Sequence, residues 1–384
     1  MKKIWPFSFY FLYFAALSSF FPFIVLFYQE LKFTGTEIGL LTGIPPLITL
    51  FAAPFWTNIA DARRRHRVIM SLGIGVAIVA VLIMQSLTSF LVIFIVVILY
   101  NFFFSPVASL ADSATMSMLG EDRAMYGRIR LGGTIGWGVI APIAGLLVDN
   151  YGLRIAFWTF SALMLVNFFV VQNVVHDSTE HEQSNNGGIR YFLTSRRWLL
   201  FLFSAFLGGL GSLSVSSYLF PYMAEMGASK TIMGLALMIQ TIIEAPVFFF
   251  GNRLVKRFTS QGLFLLALVM MGVRSILLAF IHTPLTVLIV QGFGGMIFPA
   301  MWSAGVSYAD EHAPAGLKST AQGLFGAMSF GFGSAVGGFI GGLLLESIGG
   351  RGMFLAFGFI ILGGLGIIEI VKRILPREEV VQAV

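Results

Sequence analysis

Apolar runs long enough to cross a lipid bilayer follow one another along the whole chain, separated by short polar breaks. A spanning helix needs about 20 apolar residues. Such runs lie at about 5–28, 37–60, 68–87, 89–117, 128–148, 153–175, 198–223, 231–251, 261–281, 284–309, 318–345 and 352–371. They are too long for buried strands and lack the alternation of a membrane β-barrel. The expected fold is therefore an all-α integral membrane protein with twelve transmembrane helices. Only 11% of the 384 residues are charged, against about 25% in a soluble domain. That excludes an ordinary soluble enzyme, a disordered chain and a nucleic-acid partner. Met1-Lys2-Lys3 leads into a full-length span without a small-residue cleavage site, so no cleavable signal peptide is expected.

Lys and Arg set the orientation. With the N-terminus in the cytoplasm, nineteen of the 24 fall in cytoplasmic segments, four in outer loops (Lys32, Arg154, Lys230 and Arg351) and one, Arg274, inside a span. Both termini are thus expected in the cytoplasm, with a bacterial cytoplasmic membrane around the chain. The net charge of +6 follows from this bias and needs no acidic partner. The longest polar stretch, 176–197, reads as a flexible cytoplasmic linker between an N-terminal six-helix half, 1–175, and a C-terminal one, 198–384. A weak echo relates the halves: Asn58-Ile59-Ala60-Asp61-Ala62-Arg63-Arg64 and Gly251-Asn252-Arg253-Leu254-Val255-Lys256-Arg257. Two six-span halves around a midplane site is the plan of secondary transporters; a generic polytopic protein is the bland alternative. Glycines spaced by four, Gly132 and Gly136, and Gly333, Gly337 and Gly341, let helices pack closely in lipid.

Several chemistries lack their residues. Cysteine is absent, which excludes disulfides, thiolate metal sites and cysteine nucleophiles. Gly316-Leu317-Lys318-Ser319 lacks phosphate-loop spacing. The five histidines are scattered, so no metal and no cofactor is expected. No nucleophile, base and ligand converge within the spans, so the chain is not expected to be an enzyme.

Ionisable residues at membrane depth are costly and usually face a cavity or a partner. Asn101, Ser105, Ala108 and Asp112 share one face of the fourth span, which Pro106 should bend. Arg130 opens the fifth span, and Thr134 and Trp137 follow on its face; Arg128 points nearly the opposite way. A short loop joins these spans, so Asp112 and Arg130 lie at similar depth. Asp112, Arg130, Trp137, Asn101 and Thr134 are the candidate substrate-binding residues, a carboxylate and a guanidinium for hydrogen bonds beside an indole for stacking. Alternatively, Asp112–Arg130 is a helix-end ion pair and Trp137 a packing aromatic. Glu244, well inside the eighth span, is the candidate proton-carrying carboxyl, modulated by Arg274 in the ninth; a structural glutamate is its alternative. Asp61, Arg63, Arg64 and Arg128 are candidate gating residues at cytoplasmic helix ends.

With these residues in view, the chain resembles the major facilitator superfamily. Twelve spans, the central linker and the Asp61-x-Arg63-Arg64 turn carry the likeness, although Asn58 stands where that motif usually has glycine. Within the superfamily it is most similar to the lactose-permease-like and phenylpropionate/nucleoside permease group. Tyr126-Gly127-Arg128-Ile129-Arg130-Leu131-Gly132-Gly133-Thr134-Ile135-Gly136-Trp137 resembles that group's fifth-span stretch, and Asp112 stands where it has a carboxylate eighteen residues earlier. Asn101-Phe102-Phe103-Phe104-Ser105-Pro106, Glu244 and Gly272-Val273-Arg274 extend the likeness. The resemblance implies a substrate site around Asp112, Arg130 and Trp137. It does not carry over a coupling mechanism: the tenth span, through Gln291-Gly292-Phe293-Gly294-Gly295-Met296, has no ionisable residue before Asp310. The expected activity is proton-coupled symport of a small polar organic solute, a sugar, nucleoside or aromatic acid, by a monomer using alternating access. The first rival is a proton-coupled multidrug efflux antiporter, since 40 phenylalanines and 17 methionines could line an adaptable apolar cavity.

Overall fold

A computed structural model describes residues 4–174, 189–314 and 316–374. Among them there are helices, turns and no strands. Lipid offers the backbone no hydrogen bonds, so each apolar run closes its own as a helix. The first six helices are α1 (Ile4–Glu30), α2 (Gly35–Arg63), α3 (His66–Met84), α4 (Phe90–Leu119), α5 (Tyr126–Tyr151) and α6 (Arg154–Val171). Four more follow: α7 (Arg196–Glu225), α8 (Lys230–Phe249), α9 (Ser260–Ala279) and α10 (Pro284–His312). The final run, Lys318–Ile374, is 57 residues long. It breaks at Gly349, where φ of 68° and ψ of 175° are not helical, and so forms α11 (318–348) and α12 (350–374). Twelve spans result, as the sequence implies.

Local chemistry places the ends. Thr34 caps α2 with a full capping box through Glu37, and α2 stops where Arg64 turns left-handed, φ 49°. Ser229 caps α8 by accepting from Ile232 N. The expected bend at Pro106 is a real interruption, with separate helical segments Phe90–Phe104 and Val107–Leu119. Inside α11 the chain passes through a π-helical segment, Ala327–Gly333. Two short α-helices lie outside the spans, besides a 3-10 segment, Gly120–Met125, between α4 and α5. Gly251–Phe258 carries Arg253, Lys256 and Arg257 after α8. Ile189–Thr194 falls in the stretch expected to be flexible up to Arg197. Its Phe192 is fully buried, ring edge against Trp198 at 4.6 Å. Residues 176–188 of the expected linker lie outside the described residues.

α1 packs on α5 and α6, and α3 on α4 and α6; in the second half, α7 packs on α11 and α9 on α10 and α12. Two pairs cross most extensively between the halves, α5 with α8 and α2 with α11, and α1 meets α7 through Phe23 and Phe220. With an even number of spans, both termini lie on one face, here termed the near face; the α1–α2, α5–α6, α7–α8 and α11–α12 turns lie on the far face. Glycine makes the crossing pairs close. A Cβ on Gly39 would sit 2.7 Å from Phe339 O, and one on Gly43 2.6 Å from Ala335 O. On α11, Gly338 and Gly342 face α2, whereas Gly333, Gly337 and Gly341 face α7. Large apolar side chains such as Leu91, Ile95, Phe169 and Ile289 remain exposed on the outer surface, where hydrocarbon rather than water is the solvent.

Candidate functional site

A cavity of about 290 Å³ lies between the halves, bounded by α1, α2, α3, α4, α7 and α11. Its walls are mostly apolar, with Phe20, Ile24, Leu41 and Phe330, and carry a few hydroxyls, among them Tyr28, Tyr100, Thr49, Ser217 and Ser334. Asn101 joins this lining. Its amide nitrogen donates to Val97 O at 2.7 Å, which directs the amide along α4 and leaves Oδ1 as an acceptor. The π-helical segment holds Phe330, and Ser334 follows it directly. Thr42 forms part of the wall and bridges the halves: its Oγ1 lies 2.9 Å from Tyr218 Oη and donates to Gly338 O at 3.1 Å.

Asp112 lies beyond the Pro106 break, among aromatic groups of α1. The Tyr10 hydroxyl donates to Asp112 Oδ1 at 2.5 Å and lies 3.3 Å from Thr115 Oγ1. Arg130 Nε is 3.9 Å from the same carboxylate oxygen, too far for a good hydrogen bond. The guanidinium instead lies over ring faces, 4.3 Å from the Phe14 centroid and 4.9 Å from that of Tyr10. Gly133 leaves room for this stacking, since a Cβ there would meet Phe14 at 2.6 Å and Arg130 Nη1 at 2.9 Å. Arg130 and Asp112 are 36% and 41% exposed, so each keeps hydrogen-bonding capacity for a third group. Thr134 and Trp137 continue the Arg130 face of α5, both half-buried. The structure thus brings Asp112 and Arg130 together and places Asn101 in the separate lining of the cavity. Tyr10 and Phe14 are absent from the sequence reading. Their signal was an i,i+4 pair of rings in the first span, indistinct among many phenylalanines.

The second charged cluster lies within the C-terminal half. Gln240 Nε2 donates to Glu244 Oε1 at 2.7 Å. Gln240 Oε1 accepts from Gln291 Nε2 at 3.1 Å and, more weakly, from Arg274 Nη2 at 3.4 Å. Arg274 also donates to Gln291 Oε1. Arg274 is 5% exposed and Gln291 fully buried, and Arg274 Nε has no hydrogen-bond partner among the described residues. A side chain at Gly294 would strike the guanidinium. Glu244 and Arg274 therefore communicate through Gln240. Gln240 and Gln291 are further residues that sequence reasoning missed; Gln240 precedes Glu244 by one helical turn, and Gln291 is a lone amide in an apolar span.

The remaining candidates lie on the near face. Asp61 Oδ1 is 2.6 Å from His66 Nε2 across the α2–α3 turn, while Arg63, Arg64 and Arg128 are exposed. Asp310 pairs with Lys318 at 2.9 Å, and Glu369 with Arg373 at 3.0 Å, one turn apart.

Comparison with known proteins bears on what such a bundle is. Residues 4–356 match the model of the MFS_1 like family. The maltose permease of Geobacillus stearothermophilus is 29% identical, the alignment covering 97% of this chain and 95% of that one. The multidrug resistance protein MdtG of Salmonella arizonae is 26% identical over 70% of each chain. The crystal structure of nucleoside transporter NupG superposes with a TM-score of 0.84 at 18% identity, over 97% of this chain and all of that one; at that identity the likeness concerns the fold. Twelve helices, the crossing pairs and a family match over most of its length place this chain in the MFS_1 like family, among the multi-pass membrane transporters of the major facilitator superfamily.

Proposed function

We propose that the chain is a proton-coupled symporter of a small polar organic solute, a sugar or a nucleoside, working by alternating access in a bacterial cytoplasmic membrane. The observation that carries this reading is the cavity between the halves. Its mostly apolar wall offers ring faces for stacking and a few hydroxyl and amide groups for hydrogen bonds. Its volume of about 290 Å³ is near the lower end of small-molecule sites. The stated functions of two relatives, maltose permease and nucleoside transporter, favour the same substrate classes. The Lys and Arg asymmetry supports a cytoplasmic near face, and a monomer suffices because both halves of the cavity come from one chain.

Asp112 and Arg130, partly exposed and outside the residues that line that cavity, are proposed as further polar contacts of the solute on its path, with Thr134 and Trp137 beside them. Glu244 is the proposed proton site. Its hydrogen-bonded path to Arg274 runs through Gln240, and the guanidinium acts on it through space without closing a salt bridge among the described residues. In hydrocarbon an uncompensated carboxylate is costly, which favours proton uptake when water is excluded and release when it enters. Asp61, Arg63, Arg64 and Arg128 are proposed to exchange partners on the near face when the halves rock.

Purified protein in proteoliposomes, given labelled maltose, glucose, uridine and thymidine under an inward proton gradient, tests the reading. Accumulation of one of these above equilibrium, abolished by a protonophore, is the expected result. Failure of every sugar and nucleoside, with proton-driven extrusion of cationic dyes, would overturn it in favour of efflux, the activity that MdtG is named for.

A further inference from the structure

An internal duplication links the two crossing helix pairs. The far end of α5 reads Gly145-Leu146-Leu147-Val148-Asp149-Asn150-Tyr151-Gly152, and that of α11 reads Gly342-Leu343-Leu344-Leu345-Glu346-Ser347-Ile348-Gly349. Both run glycine, two leucines, an apolar residue, an acid and, three residues on, a glycine of positive φ, 83° and 68°. The helices that these segments face also repeat. α2 opens Thr34-Gly35-Thr36-Glu37-Ile38-Gly39-Leu40, and α8 opens Ser229-Lys230-Thr231-Ile232-Met233-Gly234-Leu235.

The contacts repeat as closely as the letters. A Cβ on Gly145 would overlap Lys230 O, and a Cβ on Gly342 would overlap Gly35 O, so each glycine seats one helix against the first residue of a helix in the other half. The acid lies one turn further on. Asp149 accepts from Lys230 N at 2.8 Å, Thr231 N at 2.9 Å and Thr231 Oγ1 at 2.6 Å. Glu346 accepts from Gly35 N at 2.8 Å. The first amides of a helix have no acceptor within it. The helices' own caps, Thr34 and Ser229, serve the third residue, through Glu37 N and Ile232 N, each at 3.3 Å. Before it, the foreign carboxylate serves Lys230 N and Thr231 N in α8 and Gly35 N in α2, and its charge also suits a helix N-terminus.

We propose that Asp149 and Glu346 form a duplicated latch: each carboxylate, from one half, caps a helix of the other and so holds the far face shut until both pairs part together. The latch rests on alternating access and adds its far-face lock. Both acids are exposed, so released amides and carboxylates pass to water, and the lock can open in every cycle. Loss of one cap should shift the closed-to-open ratio about fivefold. The two sites share no partner, so their effects should multiply to about 25-fold.

The test uses the full chain with paired spin labels, introduced without background because cysteine is absent. One pair, at exposed Thr88 and Leu285, reads the far face; another, at exposed Arg67 and Arg257, reads the near face. Pulsed electron–electron distance measurements compare the native chain with Asp149→Ala, Glu346→Ala and the double variant. Each single variant should enlarge the long-distance far-face population, the double variant most, while the near-face pair shortens. An unchanged far-face ratio in the double variant overturns the latch. So does lengthening of both pairs at once, the sign of a loosened bundle. Alternating access is read separately, from reciprocal populations at the two pairs in the native chain, and stands if these persist while the variants do nothing.

Discussion

Replacing Glu244 by glutamine isolates the proposed proton step. The carboxylate makes one hydrogen bond, from Gln240 Nε2 at 2.7 Å, and the oxygen of a glutamine amide can accept the same bond. What is lost is the charge, about 1 kcal/mol of that bond's strength, which leaves the fold in place. The consequence for transport is larger. One carboxyl carries one proton per cycle, and a tenfold concentration ratio corresponds to about 1.4 kcal/mol, the same as one pH unit. With the membrane potential clamped at zero, a gradient of two pH units should let the native chain hold a solute ratio approaching about 100. Glu244→Gln should hold a ratio near one while still exchanging labelled for unlabelled solute at equal pH. The assay is a pair of proteoliposome measurements on one preparation, uphill accumulation and equilibrium exchange. Accumulation by Glu244→Gln to the native ratio refutes the assignment.

Arg130→Lys retains the charge but loses the plane that lies over Phe14 and Tyr10; it should weaken solute binding about tenfold, read by equilibrium binding, and native affinity would remove Arg130 from the site. Gln291→Leu removes an acceptor from the buried Arg274 guanidinium and should cost about 2 kcal/mol of stability, seen as a lower midpoint in thermal unfolding; an unchanged midpoint refutes the network. A cysteine at Arg64 should resist a membrane-impermeant maleimide in intact cells and one at Tyr151 should react; the reverse pattern would invert the proposed orientation.

The spans were legible because hydropathy is a statement about solvent, and solvent decides where these helices lie. The run expected at about 284–309 is Pro284–His312. Hydropathy says nothing about backbone register, so the π-helical turn in α11 was not foreseen, nor was the helical form of the polar stretch Gly251–Phe258 that follows the eighth span. The neighbourhood of Asp112 and Arg130 was readable because a short loop fixes their relative depth. Tyr10, which holds Asp112 from 102 residues away, was not: its role depends on α1 reaching α4, a contact that no local pattern encodes. Gln240 and Gln291 were hidden for the same reason. An amide is cheap enough in a span to pass unnoticed until the cation it serves is known.

The π-helical segment makes chain length in α11 a discrete variable. Beyond it, Gly337 and Gly341 meet α7 while Gly338 and Gly342 meet α2. These two stripes work only at one rotation of the helix about its axis. Deleting a single residue from the ordinary turns before it, Lys318–Gly326, with the wide turn kept, would rotate everything beyond by about 100°. Side chains as large as Phe339 and Leu343 would then be swept toward the places that glycines occupy. A point substitution at the same spot leaves the rotation alone. This short stretch should therefore tolerate changes of residue type far better than changes of length, the opposite of what is expected at a surface turn such as that around Gly316.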